Sequence, residues 1–154
     1  MKTTCDILNI FKLLLFALIF FSNKSWAILG ESWDSSQKFH DQIIKFSKNY
    51  FLTNGYTLYS YESVSGLIIS EYVNSDGIVF GVKWSGSYLP SMDKLLSSKY
   101  RVIVSDVGLK FNTKSISINQ DGFLYVSSGR MRGFNGYAYD AHLAPVNFNL
   151  INLQ

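Results

Sequence analysis

The 154-residue chain carries 14 basic and 11 acidic side chains, a formal net charge of +3, 16% aromatic residues and one cysteine, Cys5. So small a surplus names no polyanionic partner, and a lone cysteine excludes an internal disulfide framework and a cysteine-built zinc site. The length is that of one domain.

Lys2 precedes the apolar block "FKLLLFALIFF" (11–21), broken only by Lys12, and the polar stretch "SNKSWA" (22–27) follows. Ser25 and Ala27 are the small residues expected at −3 and −1 of a cleavage site, so 1–27 reads as a secretory signal peptide cut after Ala27. The unbroken run 13–21 is shorter than the roughly 20 residues a membrane span needs. The competing reading, an uncleaved N-terminal anchor, requires the apolar region to extend back to Ile7. Cleavage removes Cys5 and leaves 127 residues of net charge +1 with no stable membrane span, located in the periplasm or outside the cell. Cys5 precedes the apolar block, so it is not a lipoprotein cysteine.

After the lead-in "ILGESW" (28–33), residues 34–51 space Phe39, Ile43, Phe46 and Tyr50 as one apolar stripe and predict an amphipathic helix. Asp34, Ser35 or Ser36 would cap it, and "TNG" (53–55) would end it. β-Type sequence follows in "YTLYSYES" (56–63), "GLIISEYV" (66–73) and "IVFGVKWSG" (78–86), with an Asp76-Gly77 turn between the last two. Alternation places Ile78, Phe80, Val82 and Trp84 on one face and Val79, Gly81, Lys83 and Ser85 on the other, and Gly81 points to a bulge or a close neighbour. "LPSMDKLLSSKY" (89–100) predicts the start of a second helix capped by Ser91, with Met92, Leu95, Leu96 and Tyr100 buried. Residues 101–111 continue that helix or open a strand; periodicity does not decide.

A second hairpin spans 115–128 around Asp121-Gly122, and "APVNFNLINLQ" (144–154) alternates as a last strand would. The segments 74–82 and 119–127 look alike, which convergent Asp-Gly hairpins explain better than duplication. The expected fold is α+β: an antiparallel sheet of five to seven strands with one or two helices packed on one face. Residues 28–55 form the lead-in and helix, and 56–154 the α+β domain.

No residue pattern selects a reaction. His40 and His142 stand far apart, no Gly-x-Ser-x-Gly occurs, and Gly81 to Gly86 fails as a phosphate loop because Ser87 stands where lysine is required. No cofactor is implied. The stretch "RGFNGYAY" (132–139) imitates an RNA-binding strand at Arg132, Gly133, Phe134 and Tyr139, but Gly136 replaces a stacking aromatic, so nucleic acid is not expected. If 130–134 were extended, Arg130, Arg132 and Phe134 would share a face, and the two guanidiniums could hold a phosphate or carboxylate. A curved, charge-protected edge strand is the simpler reading of the same residues.

The blocks "SEYVNSDGIVFGVKWSGSYLPSMDKLL" (70–96), "SSGRMRGFNGYAY" (127–139) and "WAILGES" (26–32) together resemble an exported proteobacterial family known as domain of unknown function 2844. The resemblance is carried by Glu71-Tyr72-Val73, Asp76-Gly77, Trp84-Ser85-Gly86, Pro90 and Leu95-Leu96, and by Gly129, Met131-Arg132, Phe134 and Gly136. It departs at Ser87, where proline is usual, and at Gly133. It implies export from a Gram-negative cell and no assigned activity.

The function expected is therefore a non-catalytic binding module of the bacterial envelope. It would contact an exported protein or an anionic small ligand through Trp84, Tyr88, Arg130, Arg132, Phe134 and Tyr137. The alternatives are a small carboxylate-dependent enzyme acting on envelope glycans, which needs two acids about 5–9.5 Å apart, and a self-associating structural component.

Overall fold

Runs rich in β-branched and aromatic residues, separated by Gly-bearing turns, form seven strands in the computed structural model. It describes residues 28–33, 43–51, 54–110, 115–130 and 133–153. The strands are β1 (Ile43–Phe51), β2 (Tyr56–Ser63), β3 (Ile68–Asn74), β4 (Val79–Gly86), β5 (Ser115–Gln120), β6 (Phe123–Arg130) and β7 (Gly133–Asp140), with one α-helix among the described residues, α1 (Ser98–Lys110). They make a single antiparallel sheet in the order β1-β2-β3-β4-β7-β6-β5. β1 to β4 form one meander. The connection bearing α1 then leads to the far edge, and β5 to β7 return to pair with β4.

The turns follow their residues. Asp121 and Gly122, the two residues between paired Gln120 and Phe123, have φ of 48° and 76°, the two positive angles a tight hairpin requires. Before Gly77, the Asn74 side chain accepts the amides of Asp76 and Ile78 at 3.0 and 2.9 Å.

The sheet has an apolar side and a divided side. On the first, called here the Trp84 face, Tyr59, Ile69, Val82, Trp84, Phe123 and Tyr125 pack with Leu29, Leu95, Leu96 and Tyr100. Tyr100 of α1 stacks on Phe123 at 4.7 Å, and Ile103 and Val104 are partly buried against the same cluster. On the opposite, Lys83 face, Tyr56, Tyr72, Phe80 and Tyr139 pack beneath Leu153 and Phe148 of the C-terminal segment. Tyr72 Oη donates to the Asn152 carbonyl at 2.7 Å, and Asn74 Nδ2 to that of Leu143 at 2.9 Å, tying the segment down.

Four expectations are corrected. The predicted helix over 34–51 is a strand over its described part: β1 pairs with β2, for example Phe46 with Tyr61 and Lys48 with Tyr59. A spacing of four fits both a helical stripe and one face of a strand, and the aromatic-rich sequence favours the strand. The residues placed in the lead-in thus supply the first strand of the same sheet. The helix expected from Ser91 is only a 3-10 turn, Met92–Lys94, without a side-chain cap from Ser91. The Leu95 carbonyl accepts the Leu29 amide at 3.0 Å, so it is committed to the N-terminal segment, and α1 begins at Ser98. Leu95, Leu96 and Tyr100 are nevertheless all buried.

The last strand is also absent from its expected place. Residues 141–153 form turns and a 3-10 turn, Leu150–Asn152, whose start Asn149 caps by accepting the Ile151 amide at 3.0 Å. Pro145 further removes a donor that a ladder would need. Finally, Val73 pairs with Val79 while Tyr72 pairs with Gly81, leaving Phe80 as the extra residue of a β-bulge. The bulge anticipated at Gly81 therefore moves Phe80 to the Lys83 face and Val79 to the Trp84 face. The expected signal peptide (1–27) and the first half of the expected helix (34–42) lie outside the described residues.

Candidate functional site

Within the stretch 128–139, the described residues of β6 and β7 pair antiparallel as the two arms of a hairpin. Gly129 pairs with Phe134 and Arg130 with Gly133, so Arg130 and Phe134 lie on opposite faces. The single face expected for Arg130, Arg132 and Phe134 is thereby corrected for the described pair; Arg132 itself lies outside the described residues.

Two glycines of this hairpin make room for rings. A Cβ on Gly136 would stand 2.4 Å from Trp84 Cζ2, and one on Gly129 would stand 2.2 Å from Phe134 Cδ1. Trp84 is 1% exposed and packs near Tyr125 at 5.7 Å between ring centroids. Trp84 is thus a core residue, and Phe134 covers Gly129. Tyr88 packs against the same core and shares a 2.5 Å hydrogen bond with Ser65. Arg130 is exposed at the end of β6, and Tyr137 is half-buried on the Lys83 face. Of the five expected contact residues that are described, Trp84 and Tyr137 meet at one cleft, and Tyr88, Arg130 and Phe134 are not part of its lining.

Their neighbours at that cleft are ones the sequence had not grouped with them. Where the C-terminal segment ends on the sheet, Lys83, Ser85, Val126, Asn135, Tyr137 and Leu153 line a cleft of about 280 Å³, floored by Trp84 and Gly136. Pairing of β4 with β7 sets Lys83 directly opposite Tyr137 and Ser85 directly opposite Asn135. The four polar side chains mark a quadrilateral about 5 Å across the strands and 6.5–7 Å along them. Among the described residues, none of the four is hydrogen-bonded or ion-paired to another side chain. Lys83 is the sole ionisable cation in the lining and no carboxylate accompanies it. The cleft thus offers one ammonium, one hydroxyl, one amide and one phenol beside the apolar Val126 and Leu153. That set suits an anionic group carried on a hydroxylated or ring-bearing body.

Among the described residues, the buried acids are elsewhere and are occupied. Glu71, 1% exposed, accepts from Tyr61 Oη and from Trp33 Nε1, each at 2.9 Å, on the Trp84 face. Asp140, 3% exposed, accepts from Tyr100 Oη and, at 2.9 Å, from the His142 amide. Burial, reinforced by the neighbouring Glu71 charge, pushes the Tyr61 phenol well above its usual range. Burial and the hydrogen bond to Asp140 do the same to Tyr100. Each carboxylate fastens a segment to the sheet: Glu71 the N-terminal Trp33, Asp140 the helix through Tyr100.

Sequence alternation had already grouped Lys83 with Ser85, but not with Asn135 and Tyr137. The missing signal was the pairing of β4 with β7, two strands that are not consecutive in the chain. Among the described residues, no helix is long and apolar enough to cross a membrane. No curated protein and no solved structure matches the chain. The model of a protein family of unknown function, DUF2844, matches residues 25–153, taking in the whole sheet, both buried carboxylates and the cleft, and the chain belongs to that family.

Proposed function

We propose that this protein is a non-catalytic binding module, exported to the envelope of a Gram-negative cell and acting in the periplasm or outside it, that holds an anionic group in the Lys83 cleft. The observation carrying this reading is the convergence of Lys83, Ser85, Asn135 and Tyr137 on one cleft with none of the four hydrogen-bonded or ion-paired to another described side chain. A half-buried lysine with no carboxylate in the lining favours an anion, and a charge-assisted hydrogen bond is about twice as strong as a neutral one. In this reading the helix and the N-terminal segment close the Trp84 face, which leaves the Lys83 face for recognition. Export is supported by the apolar block before Ala27 and by Leu29. Two residues past the proposed cut, Leu29 is fully buried, and its amide is bonded to Leu95.

Amide-resolved NMR titration of the purified protein with acetate, inorganic phosphate and glucuronate tests the site. Shifts should concentrate on residues 83–85 and 135–137 and vanish in Lys83→Met. Shifts spread over the surface, or persisting unchanged in Lys83→Met, would remove the reading. Cell fractionation with N-terminal sequencing tests export, which requires a mature chain beginning at Ile28.

A further inference from the structure

The cleft is the centre of a longer feature. Two neighbouring rows of cross-strand partners run the full width of the Lys83 face. One passes from Ser47 through Ser60, Ser70, Lys83 and Tyr137 to Ser117; the other passes from Lys45 through Glu62, Ser85, Asn135 and Ser128 to Ser115. Seven of the fourteen positions are serine, and every one of the fourteen is exposed or half-buried. Six inter-strand steps make the track ~29 Å long, and the two rows lie ~6.5–7 Å apart.

Strand propensity does not explain this. Serine is not among the β-branched and aromatic residues that strands favour, and the same strands carry Tyr61, Ile69, Trp84 and Ile116 on their other face. The hydroxyls do not exhaust one another either. Ser60 bonds Ser70 at 2.9 Å and Ser115 meets Ser128 at 3.1 Å, but each hydroxyl has one donor and two acceptor sites and turns to suit a ligand.

The composition selects the occupant. A protein interface would centre on apolar, aromatic or Arg anchors, and here the apolar positions are only Ile68, Val126 and the Tyr137 ring. A polyanion would need several cations, and Lys45 and Lys83 are set against Glu62. We infer that the track binds a linear polysaccharide laid across the strands, its hydroxyls on the serine rows, a ring against Tyr137 and an occasional acidic sugar on Lys83. The inference rests on the binding-module reading and names its ligand.

Calorimetric titration with two oligomer series, β-1,4-linked glucose and oligogalacturonate, from dimer to octamer, tests it. Affinity should rise with length until the track is spanned, and Lys83→Met should weaken the acidic series more than the neutral one. Ser60→Ala/Ser70→Ala and Ser115→Ala/Ser128→Ala lie outside the cleft. Each should weaken the octamer about three- to tenfold, the scale of one or two lost hydrogen bonds, while dimer binding stays unchanged. Length-independent affinity of the unmodified protein would overturn the track and leave the cleft reading standing. So would the absence of sugar binding while acetate or phosphate still shifts Lys83. If none of these probes shifts the cleft, both readings fall.

Discussion

Gly136 shows how one missing side chain fixes a neighbourhood. Its absent Cβ leaves the space that Trp84 fills, so Gly136→Ala should destabilise the fold by about 1–3 kcal/mol, the usual cost of overpacking, read as a lower urea midpoint with unchanged slope. Tyr72 makes a second prediction through its protons. Burial, reinforced by Tyr56, pushes its phenol up from 10.0 to about 12. The native state therefore retains a proton that the unfolded chain releases from about pH 10. The stability contributed by the neutral phenol is complete below pH 10 and is lost as pH rises toward 12. In Tyr72→Phe, that portion of the alkaline loss should disappear from a stability-versus-pH series. At neutral pH the variant should be weaker by about 1 kcal/mol, for the lost bond to Asn152.

At the scale of elements, β1 is where two periodicities competed. Phe46 and Tyr50 satisfy a helical stripe and a strand face equally, and pairing with β2 decides for the strand. As an edge strand, β1 should show alternating protection in amide hydrogen exchange over 43–51, since only every second N–H faces β2. A helix would protect consecutive amides. α1 illustrates the converse. Burial of Leu95, Leu96 and Tyr100 was legible from spacing, yet the start of the helix was not, because the Leu95 carbonyl is taken by Leu29, far away in sequence.

For the molecule as a whole, the C-terminal segment divides the Lys83 face into a covered aromatic half and an open polar half. Leu153 stands at the boundary, fully buried over Gly81 and lining the cleft. Leu153→Ala should cost about 2–5 kcal/mol as a buried cavity, measured by thermal or urea unfolding, and should weaken glucuronate binding by loosening one cleft wall. Loss of stability without any change at the cleft would show that the wall is independent of the site.

Alternation along single strands and the Asp-Gly turns were local properties, and they alone determined the sheet's antiparallel character, the hairpins around residues 77 and 122, and the grouping of Lys83 with Ser85. Family membership was equally legible from the three motif blocks. The partners of those residues across the sheet were settled by tertiary structure, because β4 pairs with β7 only after the chain has passed through α1, β5 and β6. The same non-local pairing separated Arg130 from Phe134, buried Trp84 over Gly136, and aligned serines from six strands into one track. Side-chain direction repeats every two residues within a strand, but which strand lies alongside is set by burial and chain connectivity, and neither can be read from a local window.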